Sequence, residues 1–177
     1  MKRATMLTFL LLAALASPAA ALPGVGATRP ELRLIDGWDR MLVVDRTANK
    51  PILVVYEDKD SATQNQPLKD ELARIARGDR YKEAIALIAV ADVEGYAYWP
   101  IRGFVKDAIQ SESAKFKTTI YCDWNGGIRG KLGLKKGSSS ILLYGRDGRL
   151  LLSHEGPMPA EKRKALVEML RAEVGES

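Results

Sequence analysis

The 177-residue chain has one cysteine, Cys122, and one histidine, His154. A lone thiol cannot close a disulfide within the chain. The fold is therefore held by its apolar core, or Cys122 pairs with another molecule. One sulfur and one imidazole are too few ligands for a tetrahedral zinc centre, and no metal or other cofactor is expected. Blocks of like charge are also missing. The 27 Lys and Arg residues are interleaved with 22 Asp and Glu, as in Glu161, Lys162 and Arg163. A nucleic-acid reader would gather its cations on one face, so no nucleic-acid partner is expected. Gly127 to Lys131 reads Gly-x-x-Gly-Lys, which lacks the length and the Ser/Thr of a phosphate-binding loop. No Gly-x-Ser-x-Gly elbow is present to carry a serine nucleophile.

Long hydrophobic runs are scarce. The clearest, Met6 to Leu15, is shorter than the roughly 20 residues of a membrane span. It follows Lys2 and Arg3 and precedes Pro18 and the small residues Ala19, Ala20 and Ala21, the layout of a secretory signal. Residues 1–21 are expected to be removed near Ala21, with no stable membrane insertion afterwards. No cysteine lies near that point to take a bacterial lipid anchor. Cleavage would leave 156 residues, enough for one domain with a core, and a charge of +3 in place of +5. The mature chain is expected to be periplasmic or otherwise exported. Residues 22–30, with Gly24, Gly26 and Pro30, read as a flexible lead-in, and 31–177 as one domain.

Within that domain, Leu32 to Ile35 and Met41 to Val44 are short strand candidates split by Asp36-Gly37. Ile52 to Tyr56 is an unbroken apolar run between turn signals, the mark of a central buried strand. A helix follows with Leu68, Leu72 and Ile75 on one face, and Gly78-Asp79 ends it. Ala84 to Val90 is a second buried strand. Trp99-Pro100 precedes a helix with Ile101, Phe104, Val105 and Ala108 on one side, Pro100 suiting its first turn. Thr118 to Tyr121 is a third strand, closed by Asn125-Gly126-Gly127. Ser140 to Tyr144 and Leu150 to Ser153 flank a turn with Asp147-Gly148, a hairpin signal. A last helix starts near Pro159 and buries Leu166, Val167, Leu170 and Val174. Strand–helix alternation followed by a hairpin and a helix predicts an α/β three-layer sandwich. Its central sheet is expected to be mostly parallel, with a C-terminal antiparallel hairpin and a final helix.

This order resembles the thioredoxin-like arrangement, and the strand near 118–122 resembles its longer, TlpA- and peroxiredoxin-like versions. The likeness rests on Lys50-Pro51 followed by ILVVYE and a helix containing Pro67, and on residues 118–156. Together with the leader, and with FVKDAIQSESAKF, CDWNGGIRG and SSSILLYGRDGRLL, the chain is similar to the YtfJ family of small exported proteins with this fold. The resemblance implies a redox scaffold. Yet the place of the Cys-x-x-Cys pair reads Ser61-Ala62-Thr63-Gln64, or Lys59 to Ala62 when anchored on Pro67. Dithiol exchange needs one thiolate to attack and a second thiol to resolve. The position of the facing cis-proline falls at Ser139 or Ser140. A non-proline cis bond costs about 2.5–4 kcal/mol, so a trans peptide is expected.

Ser61 with Gln64 has the spacing of a capping box at a helix start, and the same helix end is a place for an anion. Cys122 is the only candidate thiol nucleophile, and its neighbours Tyr121, Asp123 and Trp124 supply no cation to activate it. Glu57, Asp58 and Asp60 cluster at a strand end but match no calcium loop. Tyr96, Tyr98 and Trp99 crowd a Gly-containing loop, a place for a protein or peptide contact or for packing over the helix end. Two readings stay open. One is a redox-inactive binding or adaptor module using Ser61, Thr63, Ser139, Tyr98 and Trp99, with an envelope protein or peptide as partner. The other is an enzyme working through Cys122 alone on disulfides or peroxide.

Overall fold

The computed structural model describes residues 21–45, 49–76 and 79–175. The expected signal segment, residues 1–21, lies outside the described residues except for Ala21.

Seven strands form one sheet: β1 (Leu32–Asp36), β2 (Met41–Val44), β3 (Ile52–Glu57), β4 (Ala86–Asp92), β5 (Ile120–Asp123), β6 (Ser140–Tyr144) and β7 (Leu150–Glu155). Their order is β2-β1-β5-β4-β3-β6-β7. The helices are α1 (Gln66–Ile75), α2 (Asp79–Ala84), α3 (Ile101–Phe116), α4 (Gly127–Leu132) and α5 (Ala160–Glu173). The α/β thioredoxin-like architecture is thus present. The sheet is mixed, however, and not mostly parallel. Only β3–β4 and β4–β5 run parallel, whereas β1–β2, β1–β5, β3–β6 and β6–β7 are antiparallel. The cause is connection length. Parallel neighbours need a crossover of a dozen or more residues, which the segments carrying α1, α2 and α3 supply. The four residues Gly37–Arg40 between β1 and β2 can only turn the chain straight back.

Strand β3 is buried along Ile52–Tyr56, as its unbroken apolar run requires. Alternation sends Ile52, Val54 and Tyr56 into one cluster with Leu34, Val90, Ile128, Leu132 and Leu142. It sends Leu53 and Val55 into another with Leu68, Leu143, Leu166 and Leu170. Helices α1 and α5 cover the second cluster, and α4 covers the first. Helix α3 packs along β5. Its buried side differs from the one expected: Phe104 is 68% exposed and Ala108 is exposed, while Ile101, Val105 and Ile109 are half-buried. Pro100 is the N-cap residue of this helix and lies just outside its first turn.

The expected flexible lead-in is instead docked. The Gly26 and Arg29 N–H groups donate to the Leu150 and Gly148 carbonyls at 2.8 Å each, and Leu150 N–H donates to Ala27 O at 2.9 Å. Leu22 and Ala27 pack on the first core cluster, and Arg29 is buried, donating to Asp45 O at 2.9 Å. The segment gains backbone partners along the start of β7, so its glycines serve turns without freeing it.

Leu142 lies in β6 with neighbours on both sides and no exposed surface. Leu142→Ala is expected to lower stability by about 2–5 kcal/mol, the range for emptying a packed leucine site. Urea denaturation of the two proteins measures it.

Candidate functional site

The stretch from the end of β3 to α1 is where the resemblance drawn from the sequence would put a dithiol. Asp58 organises it. Its Oδ1 accepts the Ser61 hydroxyl at 2.7 Å, Ser61 N–H at 2.8 Å and Asp60 N–H at 3.1 Å. Its Oδ2 accepts Gly137 N–H at 2.7 Å from the loop before β6. Burial alone would raise the Asp58 carboxyl, but these hydrogen bonds outweigh it and hold the group below the usual carboxylate value. The expected capping box does not form. Helix α1 starts at Gln66, with Asn65 as an N-cap residue that makes no side-chain cap. Ser61 faces back into the Asp58 turn, and Gln64 Oε1 accepts Ser139 N–H at 3.1 Å.

Asn65 is the centre of a second set of bonds. Its Nδ2 donates to Ser139 Oγ at 2.8 Å and to Gly156 O at 3.0 Å, and its Oδ1 accepts Met158 N–H at 2.7 Å. Ser139 Oγ in turn donates to Glu57 Oε1 at 2.9 Å, and Glu57 Oε2 pairs with Lys69 at 2.6 Å. Lys69 also reaches the carbonyl of Ala62. The loop before α1, the loop before β6 and the chain after β7 are thereby tied into one buried polar lock. The structure gives its one cis peptide among the described residues as Trp99–Pro100, so the Ser138–Ser139–Ser140 peptides are trans, as expected.

Of the residues expected to bind a ligand here, Ser61 and Ser139 are buried and fully engaged, while Thr63 is exposed. The two serines do not form a ligand surface in this arrangement, because their hydroxyls already close the lock. Of the acidic cluster, Glu57 and Asp58 are turned to these partners and Asp60 points to solvent. Tyr98 and Trp99 lie away from the lock and are 60% and 90% exposed, with Tyr96 beside them at 38%. The alternative that they pack over the helix end does not hold for Trp99.

Cys122 is only 4% exposed. Its thiol is pushed up to about 11, first by burial and then by the Asp36 carboxylate. His154 sits on β7, four strands from β5 in the sheet, roughly 19 Å at the usual strand spacing. The two do not meet.

Sequence reasoning missed a further group at the ends of β3, β4 and β5. Asp123 Oδ2 accepts the Tyr56 hydroxyl at 3.0 Å, Ile128 N–H at 3.1 Å and Arg129 N–H at 3.0 Å. Arg129 pairs with Asp92 and, at 2.9 Å, with Glu94, which Lys136 also reaches at 3.2 Å. The Tyr56 phenol is raised far above its usual value by burial and by both aspartates. The signal lay in two apolar runs, AVAD and IYCD, each closed by an aspartate that falls opposite the other in register. This cluster pins α4 to the sheet with Arg129 and Lys136 paired to carboxylates and Asp123 held by three hydrogen bonds, which suits a structural role.

No protein-family model matches the chain, and no curated protein matches it. Its fold does match solved structures. One is a chain described as a thiol:disulfide interchange protein DsbE from Chlorobium tepidum, at 18% identity and a TM-score of 0.58, covering 85% of this chain and 98% of that one. Another is the exposed lipoprotein thioredoxin Etrx1 of Streptococcus pneumoniae, at 16% identity and 0.57, covering 81% and 99%. A third is a peroxiredoxin-like protein from Aquifex aeolicus, at 11% and 0.58, covering 86% and 90%. At these identities the likeness establishes a thioredoxin-like fold.

Two outcomes follow for the lock. Asn65→Ala strands Met158 N–H and frees Ser139, and is expected to cost about 2–4 kcal/mol, the sum of several lost buried hydrogen bonds. Thr63→Ala, on the exposed side, should stay within about 0.5 kcal/mol. Urea titration of both variants separates them. The Asp58 carboxyl is also lower in the folded than in the unfolded chain, whose value is near 3.8. Its contribution is fully present above that value and is lost as pH falls through the folded one. Stability measured from pH 5 to pH 2 should therefore drop more steeply in the parent than in Asp58→Asn.

Proposed function

We propose that the chain is an exported thioredoxin-like protein, of the YtfJ type, that binds or adapts and does not exchange disulfides. The observation that carries this reading is the lock itself. Ser61 and Gln64, where the resemblance would put the sulfurs, and Asn65 and Ser139 beside them are all engaged in hydrogen bonds within the protein. Hydroxyl and amide groups there have no route to a mixed disulfide. The exposed loop of Tyr98 and Trp99 is the contact we assign to a protein or peptide partner in the envelope, since bare aromatics near a rigid helix end are efficient anchors.

The rival reading is redox chemistry through Cys122, and the oxidoreductase descriptions of the structural neighbours favour it. Against it stand the burial of that thiol and its raised pKa. At neutral pH the thiolate fraction falls with each unit of pKa, and intrinsic nucleophilicity recovers only about half of the loss.

The test is direct. The purified protein should show no insulin-reduction turnover above a Cys122→Ser control. Cys122 in the folded protein should alkylate with iodoacetamide at pH 7.5 more than about tenfold slower than in urea-unfolded protein. Turnover that disappears in Cys122→Ser would replace the binding reading with the redox one.

A further inference from the structure

Strand β5 is joined to β1 by only two residue pairs, Ile35 with Cys122 and Asp36 with Tyr121. Beyond them β1 runs on paired to β2 but not to β5, while the other chain leaves through Trp124 into α4. The first turn of α3 closes the third side. The resulting groove has a volume of about 370 Å³, near the lower end for sites that hold small molecules. It lies on the far side of β3 and β4 from the lock in sheet order. It rests neither on the loss of the dithiol nor on the aromatic loop.

The lining is rich in donors and short of acceptors. Arg33, Arg102 and Lys131 border the groove, and Ile35 and Ile128 give it apolar walls. Arg33 is paired with Glu31 at 3.0 Å, and among the described residues Lys131 Nζ reaches only the Glu31 carbonyl, at 3.4 Å. The Arg102 guanidinium makes no ion pair among the described residues and lies over the Trp124 ring, 4.4 Å from its centre. The indole N–H of Trp124 is buried with no acceptor among the described residues. Asp123 is the one carboxylate on the lining. Its Oδ2 is turned to Tyr56 and to the N–H groups of Ile128 and Arg129.

A buried donor without an acceptor, beside an arginine without a carboxylate, leaves a deficit of negative charge and of lone pairs. A planar, two-oxygen anion matches a guanidinium fork in a way that a spherical ion does not. The isoleucine walls favour an apolar stem behind that anion. We infer that this groove binds a carboxylate carried on a short aliphatic stem, with Arg102 as its principal partner and Lys131 as the second. The carboxylate of a small acid and the C-terminal carboxylate of a peptide share this chemistry.

The experiment uses the full protein carrying Trp38→Phe and Trp99→Phe, so that Trp124 is the sole indole emitter, with calorimetry as an independent readout. Hexanoate, a leucine-terminated hexapeptide and the same peptide amidated at its C-terminus are the probes, with inorganic phosphate as comparator. The expected result is saturable binding of hexanoate or of the free-acid peptide, at least tenfold weaker for phosphate and for the amide. Binding of hexanoate alone assigns the site to small acids; binding of the free-acid peptide assigns it to chain ends; either supports the inference. Arg102→Gln should weaken binding at least tenfold and Lys131→Gln about threefold, with circular dichroism verifying that each variant is folded. Absence of saturation with both carboxylates, equal affinity for phosphate, or unchanged binding in both variants overturns it.

Discussion

Two adjacent residues at the end of β3 carry the polar organisation of this protein. Alternation along the strand turns Tyr56 to one face of the sheet and Glu57 to the other. Tyr56 donates to Asp123, and through it joins Asp92 and Arg129. Glu57 accepts from Ser139 and pairs with Lys69, and through them joins Asn65 and Gln64. The apolar interior ends at this point on both sides, and each network closes the core where the strands give out. In such a position a half-satisfied group would be costly, because the surrounding dielectric is low and no water replaces a lost partner. The completeness of both networks is thus a condition for β3 to end where it does.

That condition bears on the proposed lack of dithiol exchange as much as the missing pair of sulfurs does. A dithiol site works because a thiolate is exposed at the start of a helix and a partner strand can lie across it. Here the start of α1 is roofed by Ser139, Gly156 and Met158, all bonded to the Asn65 side chain. Placing sulfurs at positions 61 and 64 would also remove the Ser61 bond to Asp58 and the Gln64 bond to Ser139. Opening the loop for a substrate would require breaking several buried bonds at once. The scaffold is therefore closed by side chains at the start of α1.

The strands were readable from sequence because they depend on local signals. Unbroken apolar runs gave β3, β4 and β6, and Asp147-Gly148 gave the hairpin. Sheet direction was less legible, since the pairing of β1 with β5 joins residues about 86 positions apart and leaves no periodic trace. Helices α2 and α4 have six residues each, too short for a period to declare itself. At the site, the spacing of Ser61 and Gln64 fits a helix cap. The stronger claim on Ser61 came from Asp58, three residues earlier, which forms a side-chain turn that competes with helix capping for the same groups. Asn65 went unnoticed as the centre of the lock. An asparagine before a helix has an ordinary explanation, and its partners Ser139, Gly156 and Met158 are all distant in sequence.

The same geometry locates where this fold remains open. The region around the start of α1 is bolted by side chains from β3, α1 and the loop before β6. The groove is shaped by β5, by α4 and by a β1 that joins from the edge in the antiparallel sense. Two paired residues are too few to zip β1 against β5 along its length, and the early departure of the chain through Trp124 prevents the gap from closing. Its walls then inherit whatever charge the neighbouring elements carry. Cations come from β1, α3 and α4, while the nearby carboxylate of Asp123 is already committed to holding α4 in place. The neutralisation that stabilises the strand ends thus leaves the groove beside them electropositive. A single constraint, the pairing of Asp123 with Tyr56 and the start of α4, both completes the core and sets the chemistry of the open surface.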